Sequence, residues 1–143
     1  HILQPRVLTH KNRKSTLAEF EGNMDRVMLD VPCSGTGTWR RNPEARWRIT
    51  PDSIKEYTKT QSDLLIEAWA MVKPGGRVVY MTCSILKAEN ENQVEHFLSA
   101  HEDAKLIPIR KQGIEAMEGT LQVSPFSRQM DGFFVAVLEK QKL

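Results

Sequence analysis

Two short apolar runs, each ending beside a cysteine, constrain this chain more than any other feature. Arg26 to Val31 reads RVMLDV and stops at Pro32-Cys33, while Arg77 to Thr82 reads RVVYMT and runs straight into Cys83. Valine-rich runs of this length, bounded by turn residues, fit buried strands. Proline has no amide hydrogen to give a ladder, so the first strand is expected to end at Pro32. Between the two runs, Pro51 to Val72 is predicted to be a helix, with Thr50 as N-cap and Pro51 at the first helical position. Ile54, Tyr57, Leu64, Leu65, Ala68, Trp69 and Val72 recur at three- and four-residue spacing and form its apolar face. The pattern weakens over Thr58 to Thr60, where a break into two helices is expected. Lys73-Pro74-Gly75-Gly76 then ends the helix, with glycine available for a left-handed cap.

The remaining segments complete a pattern. His1 to Asn23 is polar and basic, with a short strand expected at Gln4 to Thr9. Cys33 to Arg48 has two glycines, a proline and no clean period, and reads as a loop. Ala88 to Ala100 is predicted to be a helix, with Val94, Phe97 and Leu98 apolar and Glu89 and Glu91 in the first turn, where the helix dipole favours acids. Lys105 to Ile109 reads as a strand that Pro108 confines to an edge. Arg110 to Met130 reads as a long polar connection, and Gly132 to Leu138 (GFFVAVL) as a strand. The order strand, helix, strand, helix, strand, strand predicts an α/β sheet whose last two strands pair antiparallel. At 143 residues, 1–143 is expected to be a single domain.

Composition narrows the class. Hydrophobic residues make up 40% and charged residues 27%, which argues against wholesale disorder. No apolar run approaches the ~18 residues of a membrane span. His1 to Arg13 carries no secretory signal pattern, so a cytoplasmic, reducing setting is expected and a structural disulfide is disfavoured. Two cysteines cannot make an all-cysteine zinc site, and the four histidines do not fall at ligand spacing around them, so no metal is expected. A net charge of +2 is too small to identify a nucleic-acid binder, so charge distribution matters more than its sum.

Ligands of open α/β sheets bind beyond the carboxyl ends of the strands. Both cysteines lie at such ends, and if the two strands are neighbours the thiols face one crevice. A polar, glycine-rich loop suits a reactive thiol, and Arg40, Arg41, Arg46 and Arg48 offer an electropositive setting that would favour the thiolate. The competing reading is two buried, inert cysteines, since free cysteine is among the residues most often buried.

The flanking motifs weigh against inertness. MDRVMLDVPCSG (Met24 to Gly35) and YMTCSI (Tyr80 to Ile85) together resemble the Sun (NOL/NOP/Sun) family of RNA cytosine-5 methyltransferases. The resemblance continues through Gly35-Thr36-Gly37-Thr38, Arg40-Arg41-Asn42-Pro43, Lys73-Pro74-Gly75-Gly76, Glu89-Asn90-Glu91 and Asp131-Gly132-Phe133-Phe134, so it covers about Met24 to Glu139. It implies a Rossmann-like class I methyltransferase sheet with helices on both faces, S-adenosylmethionine as cofactor and ribosomal or transfer RNA as partner. It also implies that Cys83 is the nucleophile adding to C6 of cytosine and that Cys33 assists product release. Asp30 is then expected beside cofactor and base, orienting or protonating the pyrimidine, with Pro32 shaping the pocket floor at the cofactor site.

Trp39 to Arg48 is the candidate RNA-binding loop. Arg40, Arg41 and Arg46 suit phosphates, and Trp39 or Trp47 suits stacking on an unpaired base. A target base must leave its stack to reach a thiol in a crevice. The chain departs from the family pattern in one respect. No glycine-rich cofactor turn is recognisable, because Gly22 stands alone and Arg40 occupies the place of a third glycine after Gly35 and Gly37. The chain is therefore expected to be the C-terminal part of such a domain, without its N-terminal strands, leaving a sheet edge and apolar faces uncovered. By itself it is expected to bind S-adenosylmethionine poorly or not at all. Three alternatives stand beside this reading: a non-catalytic RNA-binding module of ribosome assembly, which needs no thiols; an amino methyltransferase, whose motif at this strand end carries an aromatic residue where this chain has Cys33; and a thiol redox protein, against which the 50-residue separation and the lack of a C-x-x-C argue.

Overall fold

A computed structural model describes residues 5–9, 11–111, 114–115 and 119–142. In chain order the elements are α1 (Arg13–Ala18), β1 (Met24–Asp30), α2 (Pro51–Met71), β2 (Val72–Thr82), α3 (Glu91–Ala100), β3 (Ala104–Leu106), β4 (Arg110–Lys111), β5 (Ile114–Glu115), β6 (Thr120–Val123), α4 (Pro125–Arg128) and β7 (Phe133–Lys140), with 3₁₀ turns at Thr36–Thr38, Pro43–Arg48 and Lys87–Glu89.

Strands β1 and β2 are parallel neighbours, with Val27 opposite Val78 and Asp30 opposite Met81. β7 lies antiparallel to β2 and carries β3 and β6 on its other side. The expected antiparallel pairing of the last two predicted strands is thus β3 with β7, and β7 also joins them to the cysteine-bearing strands. Alternation sorts the two faces of the sheet. Val78, Tyr80 and Thr82 of β2 and their partners Leu138, Ala136 and Phe134 of β7 are all fully buried. Leu65, Ala68 and Trp69 of α2 and Val94 and Phe97 of α3 cover that face, with Trp69 and Phe97 meeting edge to face at 5.3 Å. On the opposite face Val79, Met81, Val135 and Val137 are only half-buried and Met28 is 69% exposed. No described helix is long and apolar enough to cross a membrane.

Four local outcomes differ from the sequence reading. Residues 5–9 form no strand, and Gln4 lies outside the described residues. Instead the Asn12 side chain accepts the Thr9 amide at 2.7 Å and the Thr9 carbonyl accepts from Arg13, which turns the chain into α1. α2 is unbroken: the Thr58 and Thr60 hydroxyls donate to the carbonyls of Lys55 and Glu56, three and four residues back, so both threonines are accommodated within the helix. A capping box closes its start, with the Thr50 side chain accepting from the Ser53 amide and Ser53 returning the bond.

The segment expected to end that helix is already strand. β2 begins at Val72, and Lys73 to Gly76 form an irregular stretch in which the register jumps from Met24–Val72 to Arg26–Arg77. Gly75 has φ +81°, a backbone state that side chains disfavour, so glycine serves a strand irregularity here. Finally, the expected polar connection contains β6, whose Leu121 and Val123 pair with Val135 and Phe133. A four-residue strand carries too little alternation to stand out in sequence.

Candidate active site

The parallel pairing of β1 and β2 decides where the cysteines go. The ladder runs on past β1, with the Val31 amide donating to the Met81 carbonyl at 3.2 Å. Both chains then leave the sheet at its carboxyl edge, and Cys33 Sγ lies 3.4 Å from Cys83 Sγ. Both thiols are half-buried and unbridged. Once one of the two thiols ionises, the remaining proton lies between the sulfurs. The Cys33 S–H donates to Cys83, which holds the Cys83 thiol down to about 7 against the opposing pull of burial, while the same bond and burial push Cys33 well above the ordinary thiol range. The expected arginine-driven activation gives way to this nearer cause.

This has a measurable consequence. Alkylation of Cys83 by iodoacetamide is expected to rise with pH through about 7 and level off above it. In Cys33→Ala the donor is gone, so the midpoint should move up toward ~8.5. Mass-spectrometric rate profiles of the two proteins check the shift, and coincident midpoints would contradict the shared proton.

Three segments lock together around the pair. The Gly37 amide donates to the Cys83 carbonyl at 2.9 Å, and the Gly132 amide donates to the Gly37 carbonyl at 2.8 Å. Beneath the thiols, Ser34, Thr36, Gln61, Thr82, Ser84, Glu89 and Asn90 form a buried polar floor. The Glu89 carboxylate accepts from Ser34, Ser84 and Gln61. Asn90 accepts from the Thr82 hydroxyl at 2.6 Å and donates to the Ser84 carbonyl at 2.9 Å. None of these floor residues figured as a site residue in the sequence. The Glu89-Asn90-Glu91 motif marked the region, but nothing local says that two of its side chains point under two loops.

The other expected residues divide into groups. Asp30 and Pro32 are exposed at the carboxyl edge beside the thiols, and the Pro32 carbonyl accepts from Gln61 Nε2 at 3.0 Å. Arg40 and Arg41 are exposed, yet both pair with Asp131, Arg40 at 3.4 Å. Arg46 stacks on Trp47, its guanidinium 4.6 Å from the ring centroid, and Trp47 is 77% exposed. Trp39 is half-buried, and its buried indole N–H has no partner among the described residues. The exposed Arg46–Trp47 pair is thus the clearest platform for stacking in this loop, while Arg40 and Arg41 offer phosphates a charge partly offset by Asp131.

Asp30 and Pro32 are both exposed at the end of β1, the edge at which open α/β sheets bind ligands, so both are free to meet a nucleoside cofactor. Gly35 and Gly37 belong to the cysteine loop and form no G-x-G-x-x-G turn, since Arg40 stands at the third position.

Residues 3–139 match the family model described as "16S rRNA methyltransferase RsmB/F". The "Probable ribosomal RNA small subunit methyltransferase B" of Synechocystis sp. is 44% identical over 122 residues, covering 82% of this chain and 27% of that protein. "Ribosomal RNA small subunit methyltransferase B" of Vibrio cholerae is 42% identical over 117 residues, covering 82% and 26% respectively. The chain thus spans about a quarter of each of these relatives. Among solved structures, NSun6 from Pyrococcus horikoshii with SFG superposes with a TM-score of 0.76 at 25% identity, covering 90% of this chain and 33% of that one.

Proposed function

The chain belongs to the RsmB/F family of 16S rRNA methyltransferases, and on that premise we propose that its paired thiols methylate C5 of a cytosine in ribosomal RNA through a covalent Cys83–C6 adduct, with S-adenosylmethionine as the methyl donor. The observation that carries this reading is the 3.4 Å contact between Cys33 and Cys83 at the carboxyl ends of adjacent parallel strands. An inert pair has no need of a lowered thiol, whereas C6 addition needs a thiolate near neutral pH.

Cytosine C5 is a poor nucleophile. When the Cys83 thiolate forms a bond to C6, the ring's double-bond electrons move toward C5, which then attacks an electrophilic methyl group. The cofactor supplies that methyl on a sulfonium, and SFG in the NSun6 structure, an analogue of S-adenosylmethionine, supports this choice. Asp30, exposed at the carboxyl edge, orients or protonates the pyrimidine. The C5 proton then passes to water, and the electrons of its C–H bond restore the double bond as the C6–Sγ bond breaks. The departing Cys83 sulfur regains its charge at that moment, and the Cys33 S–H beside it stabilises the leaving thiolate by hydrogen bonding. Arg46 and Trp47 engage RNA outside the crevice.

The test uses the intact protein with labelled S-adenosylmethionine and three RNAs: 16S rRNA, transfer RNA and a cytosine-free control. Nuclease digestion should place the label in 5-methylcytidine from 16S rRNA alone. Label in transfer RNA would move the substrate but keep the chemistry, and label on a base nitrogen would overturn the mechanism.

A further inference from the structure

We infer that Glu89 is a positioning residue that holds the two thiol loops in register through Ser34 and Ser84. Ser34 follows Cys33 directly and Ser84 follows Cys83 directly. One carboxylate reaches both. Glu89 Oε1 accepts from the Ser34 amide at 2.8 Å and from Gln61 Nε2 at 3.1 Å, while Oε2 accepts from the Ser34 and Ser84 hydroxyls, each at 2.5 Å. The side chain is fully buried, and among the described residues no ion pair includes it. Four donors thus converge on its two oxygens, two on each. A carboxyl group is costly to bury unless its hydrogen bonds are made, and here all four are made to groups flanking the thiol loops or to Gln61 beneath them.

What it holds is the gap between the two loops. Asn90 secures only the Cys83 side, through Thr82 and the Ser84 carbonyl. The direct Ser34–Ser84 hydroxyl contact is 3.3 Å, at the long end for an O–H···O bond. Glu89 itself is anchored from the sheet, since its carbonyl accepts the Tyr80 hydroxyl at 2.7 Å. The loops also meet further along, where Gly37 N donates to the Cys83 carbonyl at 2.9 Å and the Thr36 and Ser84 hydroxyls lie 3.0 Å apart; removing the carboxylate leaves the Ser34 amide without its acceptor and loosens the link next to Cys33 itself.

The thiol geometry stands independently of the reaction proposed above; only its catalytic consequence rests on that reading. The experiment therefore reads geometry first. Equilibration of the intact protein with glutathione, in which the dithiol and oxidised glutathione give the protein disulfide and two reduced glutathiones, yields the effective molarity of one thiol toward the other. Glu89→Ala should lower it at least tenfold, and Glu89→Gln, which keeps the size and one acceptor oxygen, should lower it less. Leu138→Ala, in the core, should leave it within twofold of the unsubstituted protein. The double variant Ser34→Ala/Ser84→Ala removes both hydroxyl links and should reproduce the fall, which decides the matter if Glu89→Ala does not fold. An effective molarity within twofold of the unsubstituted protein in the double variant or in Glu89→Ala overturns the proposal, as does an equal fall in Leu138→Ala. In methylation assays the same variants should lose kcat with little change in KM for RNA. A fall in effective molarity in a protein that methylates nothing keeps the positioning role and sinks the proposed reaction.

Discussion

Cys83→Ala is expected to abolish methyl transfer, while Cys33→Ala is expected to accumulate a protein–RNA adduct that survives denaturation. The asymmetry follows from which sulfur carries the charge. The Cys83 thiol lies low, at about 7, because Cys33 donates to it, so in the proposed reaction Cys83 is the attacking thiolate and Cys33 the proton-bearing partner. Loss of a covalent nucleophile in a preorganised site costs rate by a factor on the order of 10⁴ to 10⁶. Loss of Cys33 acts later, once the methyl group is in place, because the departing sulfur then lacks its donor at 3.4 Å. Denaturing gels of each variant with labelled 16S rRNA and S-adenosylmethionine read both effects. A trapped adduct in Cys83→Ala and none in Cys33→Ala would exchange the roles while keeping the chemistry. Unchanged methylation in Cys83→Ala would remove the covalent mechanism and favour a non-catalytic RNA-binding role.

Gly37→Ala is expected to be the most damaging single-methyl addition near the site. A Cβ there would lie 2.5 Å from the Gly132 carbonyl oxygen, 2.6 Å from Gly132 Cα and 2.7 Å from the Cys83 carbonyl oxygen. All three are backbone atoms, so no side chain can rotate out of the way. The clash falls on the two hydrogen bonds that tie the Cys33 loop to Cys83 and to the turn before β7. Overpacking of this kind costs about 1–3 kcal/mol, and each disrupted bond about 1 kcal/mol more. The denaturation midpoint of the intact protein should fall, and methylation should fall beyond what the lost stability explains. Gly22→Asn is the control: Gly22 has φ +65° with open space around its Cβ position, and asparagine tolerates that backbone state. Equal losses in the two variants would show that the Gly37 crossing has no special role.

The elements that the sequence announces are those whose signal is local. RVMLDV and RVVYMT are short apolar runs closed by turn residues, and they form adjacent strands, β2 running directly into Cys83 and β1 ending three residues before Cys33. The helix between them and GFFVAVL carry their periodicity within a few turns or residues, and they formed as α2 and β7. The paired motifs around the cysteines likewise identified the family without any structure. Where a local signal competed with a distant partner, the distant partner prevailed. The early start of β2 is set by Met24 across the sheet, and β6 exists because β7 offers it an edge.

The working details of the site belong wholly to the tertiary structure. Cys33 and Cys83 are 50 residues apart, Ser34 and Glu89 are 55 apart, and Arg40 and Asp131 are 91 apart. Hydrogen bonding and proton sharing depend on distances of a few ångströms, and hydrophobic periodicity carries no information about which distant segments will approach that closely. The sequence by itself determined which residue types stand at the ends of which strands. Only the packing of the sheet decided that the two thiols lie 3.4 Å apart, that a buried carboxylate accepts from the residue after each of them, and that two of the arginines pair with an aspartate.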